Sequence, residues 1–473
     1  MKKSVFLFFI FFAFVSLQLQ AQELDTLAAI DAVFASYHNQ MPGVAAAVSI
    51  DGRVIFNKAY GLANLEYNVP NTPQTLFEAG SVSKQFVAAG MLLLAKEGKV
   101  ALSDDVRMYV PELPNYDATI TIDMLLSHTS GLKDWGALYS LTGWPRTTRV
   151  YTQELGWDII FKQKSLNFPP GTQYSYSNSN YMMLVLILER VSGQSLAQFT
   201  EERFFKPLGM SHTRWRDNHL TVIPDRATAY RDNHTETEYL LNMPFENLHG
   251  PGGLLTTTAD LLRWNQIHES LEIFGAEFAQ NRITERTLHS GERVGYAAGH
   301  TIGRLQGHFE VAHSGSTGGY RAWLAWYPEE KLSVVLLSNY AQFSPAAIGR
   351  RIATLFLPEP QQQESAPLIQ AEKRTRADKD AEDAQPQALP VLKEYEGTYY
   401  SADIDTRYRF SVKEGVLKVY RKAGDTFDLT YVSPDVFTSD KNGEYVFKRN
   451  AKGKVEGFTV SVTRALHVPF TIF

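Results

Sequence analysis

The sequence predicts an α/β fold, an antiparallel sheet flanked by helices, followed by a small all-β barrel. Two extended runs, Val44–Ile50 and Arg53–Tyr60, are joined by an Asp-Gly dipeptide, which is a strong hairpin signal. A second strand pair, Tyr320–Tyr327 and residues 332–339, follows a long region of helical patterns. From Tyr395 onward, short alternating strands recur between turns, a pattern typical of a barrel of about eight strands.

Length and composition limit the function classes. A chain of 473 residues is too long for one compact core, so we expect at least two domains. The formal net charge of −5 gives no reason to expect a nucleic-acid partner. The chain has no cysteine, which excludes disulfides and a thiol for lipid attachment. We expect neither a cofactor nor a metal.

The first residues have the pattern of a secretory signal peptide. Lys2 and Lys3 precede an apolar run over residues 5–15, and small residues lead to Ala21. A membrane anchor is the alternative, but the run is short for a span and no basic residues follow it. We therefore expect cleavage after Ala21 and a mature protein, without a stable membrane span, in the periplasm or outside the cell.

The tail of the chain is separated from the rest by a change in composition. Residues 358–390 are rich in proline, glutamine and mixed charge with little apolar content, which predicts a linker. The predicted barrel then covers residues 391–473. Its strands are divided by Glu414-Gly415, Asn442-Gly443 and Lys452-Gly453 turns.

A candidate nucleophile lies where a long helical pattern begins. Ser81 and Lys84 are three residues apart, so their side chains lie on one face of that helix. A lysine with a depressed pKa can take the proton of a serine hydroxyl, and the helix N-terminus favours an oxyanion. The alternative is a polar helix cap followed by a solvated lysine, which these residues alone fit equally well.

Further polar motifs follow along the chain. Tyr176 and Asn178 lie on a loop before a helical pattern, and His313 and Gly315 precede a glycine-rich turn that leads into a strand. His128, within Ser-His-Thr-Ser-Gly, is a candidate base but is more often a structural group in such a setting. An aromatic-rich stretch is explained equally well as a cleft wall or as helical core: Trp135, Tyr139, Trp144, Tyr151, Trp157 and Phe161.

These motifs, in this order, resemble the serine β-lactamase-related hydrolases. The local contexts at residues 126–132, 207–210 and 252–254 resemble the same family, most closely its class C β-lactamase, esterase and D-aminopeptidase branch. The resemblance covers about residues 25–357 and implies a serine hydrolase domain at residues 22–357, while residues 391–473 are similar, more loosely, to lipocalin-like C-terminal domains. It implies a β-lactamase/transpeptidase-like fold with an added all-helical lobe, and an active site in the cleft between the lobes.

The resemblance also implies catalytic roles. Ser81 is the acylated nucleophile, Lys84 its activating neighbour, and Tyr176 a general base or proton relay. A tyrosine with an ordinary pKa of about 10 needs cationic neighbours to act as a base near neutrality. Which of Lys84 and Tyr176 removes the serine proton is left open by the sequence.

The remaining implied site residues bind the substrate: Asn178, His313, Gly315 and Ser316. The backbone N–H groups of Ser81 and Ser316 would form the oxyanion hole. Class C β-lactamases carry Lys-Thr-Gly where this chain has a triplet that begins with His313, and histidine is mostly neutral at pH 7. The resemblance therefore implies weak β-lactamase activity.

We expect an exported serine hydrolase that forms an acyl-enzyme on Ser81 and acts on small esters or D-amino-acid peptides and amides. The alternative is a β-lactamase or penicillin-binding D,D-carboxypeptidase. A non-catalytic sensor is less favoured because Ser81, Lys84 and Tyr176 are all present. The barrel is open to three roles: holding a ligand, covering the cleft, or joining subunits into a homo-oligomer.

Overall fold

The computed structural model describes residues 25–38, 40–144, 149–233, 238–268, 274–358, 391–422, 424–440 and 442–473. The predicted signal peptide lies outside these residues, and so does all but the first residue of the predicted linker.

Helices and strands alternate along the chain before the barrel. The helices are α1 (residues 25–33), α2 (Lys84–Lys96), α3 (Ile122–Leu126), α4 (Trp135–Leu141), α5 (Gln153–Phe161), α6 (Asn178–Ser192), α7 (Leu196–Thr200), α8 (Lys206–Leu208), α9 (Thr258–Asn265), α10 (Ala276–Ile283) and α11 (Pro345–Ala353). The strands are β1 (Val44–Ile50), β2 (Arg53–Tyr60), β3 (Leu62–Asn64), β4 (Val69–Pro70), β5 (Phe77–Glu78), β6 (Tyr151–Thr152), β7 (Arg214–Trp215), β8 (Tyr230–Asp232), β9 (Tyr239–Leu241), β10 (Glu246–Asn247), β11 (Leu254–Thr256), β12 (Thr301–Leu305), β13 (His308–Thr317), β14 (Tyr320–Tyr327) and β15 (Leu332–Ser338). Among the described residues, none of the helices is both long enough and apolar enough to cross a membrane.

The main sheet has six antiparallel strands in the order β12-β13-β14-β15-β1-β2. The predicted hairpin and the predicted strand pair are both present, and β15 ends at Ser338, one residue before the predicted limit. Strands β12 and β13 were not predicted. The polar run from His313 to Ser316 has low strand propensity, and pairing with β14 overrides it.

Both faces of this sheet are covered by helices. In β1, Ala45 and Ala47 face the core that contains α2, whereas Val44, Ala46 and Val48 face the core formed with the terminal helices. Side chains alternate between the faces of a strand, so a strand buried on both sides is apolar throughout. This explains the unbroken apolar run of β1 from Val44 to Val48.

The helical lobe is centred on α6. This helix packs against α2, α3 and α5, and ten of its fifteen residues are buried. Helix α2 is buried from Lys84 through Leu94, because it lies between the main sheet and the helical lobe. The first residues of α2 and α6 are therefore held at the junction of the two lobes.

The C-terminal region is a closed barrel, as the alternating pattern predicted. Its eight strands are β16 (Gly397–Ser401), β17 (Thr406–Lys413), β18 (Val416–Lys422), β19 (Asp425–Ser433), β20 (Val436–Ser439), β21 (Gly443–Arg449), β22 (Val455–Val462) and β23 (Ala465–Ile472). Aromatic rings pack together inside it, including Tyr399, Tyr408, Phe410, Tyr445, Phe447 and Phe458. Small barrels of this size are filled by their own side chains.

The barrel docks on the helical lobe near α4. The Tyr408 hydroxyl donates to the Leu141 carbonyl over 2.5 Å, and the Gln163 amide donates to the Asp403 carbonyl over 2.9 Å. The Arg421 guanidinium donates to the Ser140 carbonyl over 3.1 Å. These bonds to backbone carbonyls fix the barrel beside the cleft.

Candidate active site

Ser81 lies on a 3₁₀ turn, Gly80–Ser83, that leads directly into α2. Gly80 has φ +52°, and a Cβ placed there would approach the backbone nitrogen of Ser316 to 2.6 Å. A Cβ at Gly315 would in turn approach the Ala79 carbonyl oxygen to 2.0 Å. The two glycines thus allow the nucleophile turn and strand β13 to lie in backbone contact. This places the Ser316 backbone nitrogen beside the turn that carries Ser81, where an oxyanion hole formed by the N–H groups of Ser81 and Ser316 is expected.

The Lys84 ammonium lies next to the Ser81 hydroxyl. Its Nζ is 3.2 Å from Ser81 Oγ, 2.9 Å from Asn178 Oδ1 and 2.8 Å from the Pro251 carbonyl oxygen. A lysine ammonium has three donors, so each N–H has an acceptor. The amine is thereby fixed in a position from which it can exchange a proton with Ser81.

Burial changes the proton affinity of this amine. Lys84 is completely buried, and the loss of hydration lowers its pKa well below the usual value; the Asp134 carboxylate opposes this effect, and the Arg464 guanidinium adds to it. The neutral amine that a general base needs is therefore more accessible near neutral pH than for an exposed lysine.

The surroundings of Tyr176 do not favour a phenolate that acts as a base. Its ring lies beside Lys84, with Nζ 4.9 Å from the ring centroid, and its hydroxyl oxygen is buried. Burial raises the Tyr176 pKa well above 10, and the nearby Ser81 hydroxyl only partly opposes the rise. Among the described residues, none meets the distance and angle of a hydrogen bond to this hydroxyl. The geometry thus favours a neutral phenol.

Asn178 connects Lys84 to a buried acid, Asp134, that the sequence analysis did not single out. The Asn178 side chain donates to Asp134 Oδ2 over 2.9 Å, and its backbone N–H donates to the same oxygen over 2.7 Å. Asp134 also caps α4, because Oδ1 accepts the Ala137 N–H over 2.9 Å. This cap pattern is readable from sequence, whereas the link to Lys84 is not. Asn178 is therefore oriented from both sides.

The His313 imidazole is buried beside Tyr296. Nε2 is 3.0 Å from the Tyr296 hydroxyl, and Nδ1 is 2.6 Å from the Ser314 carbonyl oxygen, so Nδ1 carries the proton and donates. Burial, with a further contribution from Lys84, lowers the His313 pKa to about 3. The ring thus stays neutral over the whole neutral range. Its expected contact with substrate stays a prediction, since His313 itself is not part of the cleft wall.

His128 takes the structural role that was considered the more frequent one. Its Nδ1 accepts the backbone N–H of Ser177 over 3.2 Å and lies 3.1 Å from the Asn180 amide. Its ring lies 4.3 Å from the Tyr176 ring, centroid to centroid. The imidazole therefore supports the loop that carries Tyr176 and Asn178.

The cleft between the lobes has a volume of about 440 Å³. Ser81, Asn178 and Ser316 line it, so three of the residues expected around the substrate share one cavity. The aromatic stretch serves both of its expected roles. One group lines the cleft, namely Trp135, Tyr139, Trp144 and Tyr151, while Trp157 and Phe161 pack against the core.

Comparison with known proteins places this chain in a family. The sequence model of the family described as Beta-lactamase matches residues 27–357. Penicillin-binding protein 4* of Bacillus subtilis is 28% identical over 307 residues, which are 61% of this chain and 66% of that protein. The D-aminopeptidase of Brucella anthropi is 28% identical over 303 residues, 64% of this chain and 57% of that protein. The chain therefore spans less than two thirds of the length of these relatives.

Solved structures show the same fold. The octameric penicillin-binding protein homologue from Pyrococcus abyssi aligns with a TM-score of 0.62 at 23% identity and covers 95% of this chain and 99% of its own. The D-amino acid amidase from Ochrobactrum anthropi SV3 aligns with a TM-score of 0.58 at 22% identity, over 70% of this chain and 98% of its own. At these identities the likeness concerns the fold alone.

Proposed function

The chain belongs to the beta-lactamase family, and we propose that it is an exported serine hydrolase that acts on D-amino-acid peptides or amides and on small esters. The observation that carries the proposal is the buried Lys84 ammonium, shared between Ser81, Asn178 and the Pro251 carbonyl. The name of the D-aminopeptidase relative supports the substrate class.

In the proposed reaction, Lys84 as the neutral amine takes the Ser81 proton while Ser81 Oγ bonds to the substrate carbonyl carbon. The N–H groups of Ser81 and Ser316 bind the resulting oxyanion. The Tyr176 phenol then protonates the leaving nitrogen or oxygen, and the Lys84 ammonium restores the phenol. Water then takes the position of the leaving group. The same proton transfers run in the reverse direction, which releases the acid and regenerates the Ser81 hydroxyl.

This assignment of roles follows from the two opposite pKa shifts. Burial lowers the pKa of Lys84 and raises that of Tyr176. The lowered pKa makes the neutral amine of Lys84 accessible as a proton acceptor, and the raised pKa keeps Tyr176 protonated, so that it holds a proton for the leaving group. Export is part of the proposal and rests on the signal-peptide pattern of residues 1–21.

The test is a substrate panel on purified mature protein, with a nitrophenyl butyrate ester, a D-alanyl nitroanilide and a chromogenic cephalosporin. We expect turnover of the ester or the D-alanyl amide, weak turnover of the cephalosporin, and no turnover by Ser81→Ala. A cephalosporin hydrolysed much faster than the other two would favour the β-lactamase alternative. Activity that survives Ser81→Ala would contradict the proposal.

A further inference from the structure

The barrel contributes directly to the wall of the cleft. Thr463 and Arg464 form the turn between β22 and β23, and both line the same cleft as Ser81. The Asp134 N–H donates to the Arg464 carbonyl oxygen over 2.9 Å, and the Asn167 amide donates to the same oxygen over 3.1 Å. The turn is thus bound to the helical lobe through its backbone, which leaves the Arg464 side chain for another task.

Arg464 is a cation in a cleft whose other charged lining residues, Asp134 and Glu246, are acids. Its Nη1 is 3.6 Å from Asp134 Oδ2, which is too long for a hydrogen bond. That carboxylate oxygen already accepts two N–H groups of Asn178. Within the described part of the chain, the guanidinium donates to no acceptor, and its side chain is 38% exposed. Its donors are therefore available to an anion in the cleft.

His313 on strand β13 supplies no positive charge to bind a substrate carboxylate. His313 stays neutral over the neutral pH range, and its two ring nitrogens are engaged by Tyr296 and Ser314. A guanidinium binds a carboxylate through two parallel N–H donors and stays charged at all relevant pH values. Arg464 can therefore form the charged hydrogen bonds to a carboxylate that a neutral histidine cannot form.

We propose that Arg464 binds a carboxylate of the substrate, so that the barrel completes the site for D-residue peptides with a free carboxylate near the scissile bond. The choice of scissile bond rests on the proposed function, whereas the binding role of Arg464 does not.

The test is calorimetric titration of the full chain carrying Ser81→Ala, which removes turnover. The two probes are N-acetyl-D-alanyl-D-alanine and its C-terminal amide, which differ in one charge. We expect the acid to bind more tightly, and Arg464→Gln to weaken the acid by about 10-fold, a loss moderated by the partial exposure of the guanidinium. The amide should bind unchanged, and Arg464→Lys should fall between.

Arg409→Gln is the matched control, because Arg409 lies on the same barrel and packs over the Tyr420 ring, away from the cleft. It should change neither affinity. An equal loss of acid and amide affinity in Arg464→Gln would assign Arg464 a structural role and overturn the proposal. Equal binding of the two probes by the Ser81→Ala chain would also overturn it, and so would no binding of the acid by that chain. If Arg464→Gln fails to fold, the acid-to-amide ratio of Arg464→Lys decides. Failure of the proposed function would appear separately, as a wild type without hydrolytic activity.

Discussion

Replacing Gly80 by alanine tests whether close contact between the nucleophile turn and strand β13 builds the oxyanion hole. The added Cβ would lie 2.6 Å from the Ser316 backbone nitrogen and 3.1 Å from the Gly315 carbonyl carbon. Both are backbone atoms, which cannot turn aside as a flexible side chain can. The turn and the strand must therefore separate, and the Ser316 N–H leaves the position that an oxyanion hole requires.

The expected cost has two parts. The left-handed φ of +52° costs an alanine about 1–2 kcal/mol of stability, and the contact with Ser316 adds about 1–3 kcal/mol as overpacking. Loss of one oxyanion donor lowers kcat by about 10²–10³. Gly98→Ala is the matched control, because Gly98 has φ +69° and open space where the Cβ would lie. It should lose a similar 1–2 kcal/mol and keep its kcat.

The assay is urea unfolding together with the hydrolysis of the best ester substrate by both variants. The difference between the two glycines isolates the contact with Ser316 from the backbone strain that they share. If Gly80→Ala keeps a kcat within about two-fold of Gly98→Ala, the contact does not position the oxyanion hole, and this explanation of the site is wrong.

Three further predictions follow from the site. Tyr176→Phe should lower kcat by about 10² or more with a smaller change in KM, because a positioned proton donor is lost, and a near-normal kcat would remove Tyr176 from the mechanism. Asp134→Asn should destabilise the fold by about 1–3 kcal/mol in urea unfolding, because an amide nitrogen replaces one of the two oxygens that accept buried N–H groups; unchanged stability would contradict this. Stability should fall as pH drops from about 6.5 toward about 3, because only the unfolded chain then protonates His313. His313→Asn should flatten that slope by up to about 1.4 kcal/mol per pH unit, and an unchanged slope would argue against the lowered pKa.

The sequence predicts those parts of the fold that local pattern encodes. The β1–β2 hairpin and the β14–β15 pair have alternating or continuous apolar runs that end at turn residues, and their limits agree within one residue. The barrel pattern likewise predicts about eight strands. Strand β13 was not predicted because its polar triplet has low strand propensity, and its pairing with β14 depends on tertiary structure.

The candidate site is predictable only as far as its motifs are local. Ser81 and Lys84 share one helix start, so their contact follows from helical spacing. Asp134 and Arg464 reach the site from a helix cap and from a barrel turn that lies more than 300 residues further along the chain. No periodicity or motif signals such an approach, because it depends on how the barrel docks. The setting of His313 also depends on a distant side chain, Tyr296.

Peptide mass spectrometry after treatment of the mature protein with a fluorophosphonate identifies the nucleophilic serine. We predict one adduct per chain, on the peptide that contains Ser81, at a rate that rises with pH as Lys84 loses its proton. Ser81→Ala should abolish the adduct, and Lys84→Ala should slow its formation by about 10² or more. An adduct on another serine, or labelling that survives Ser81→Ala, would contradict the assignment of Ser81 as the nucleophile.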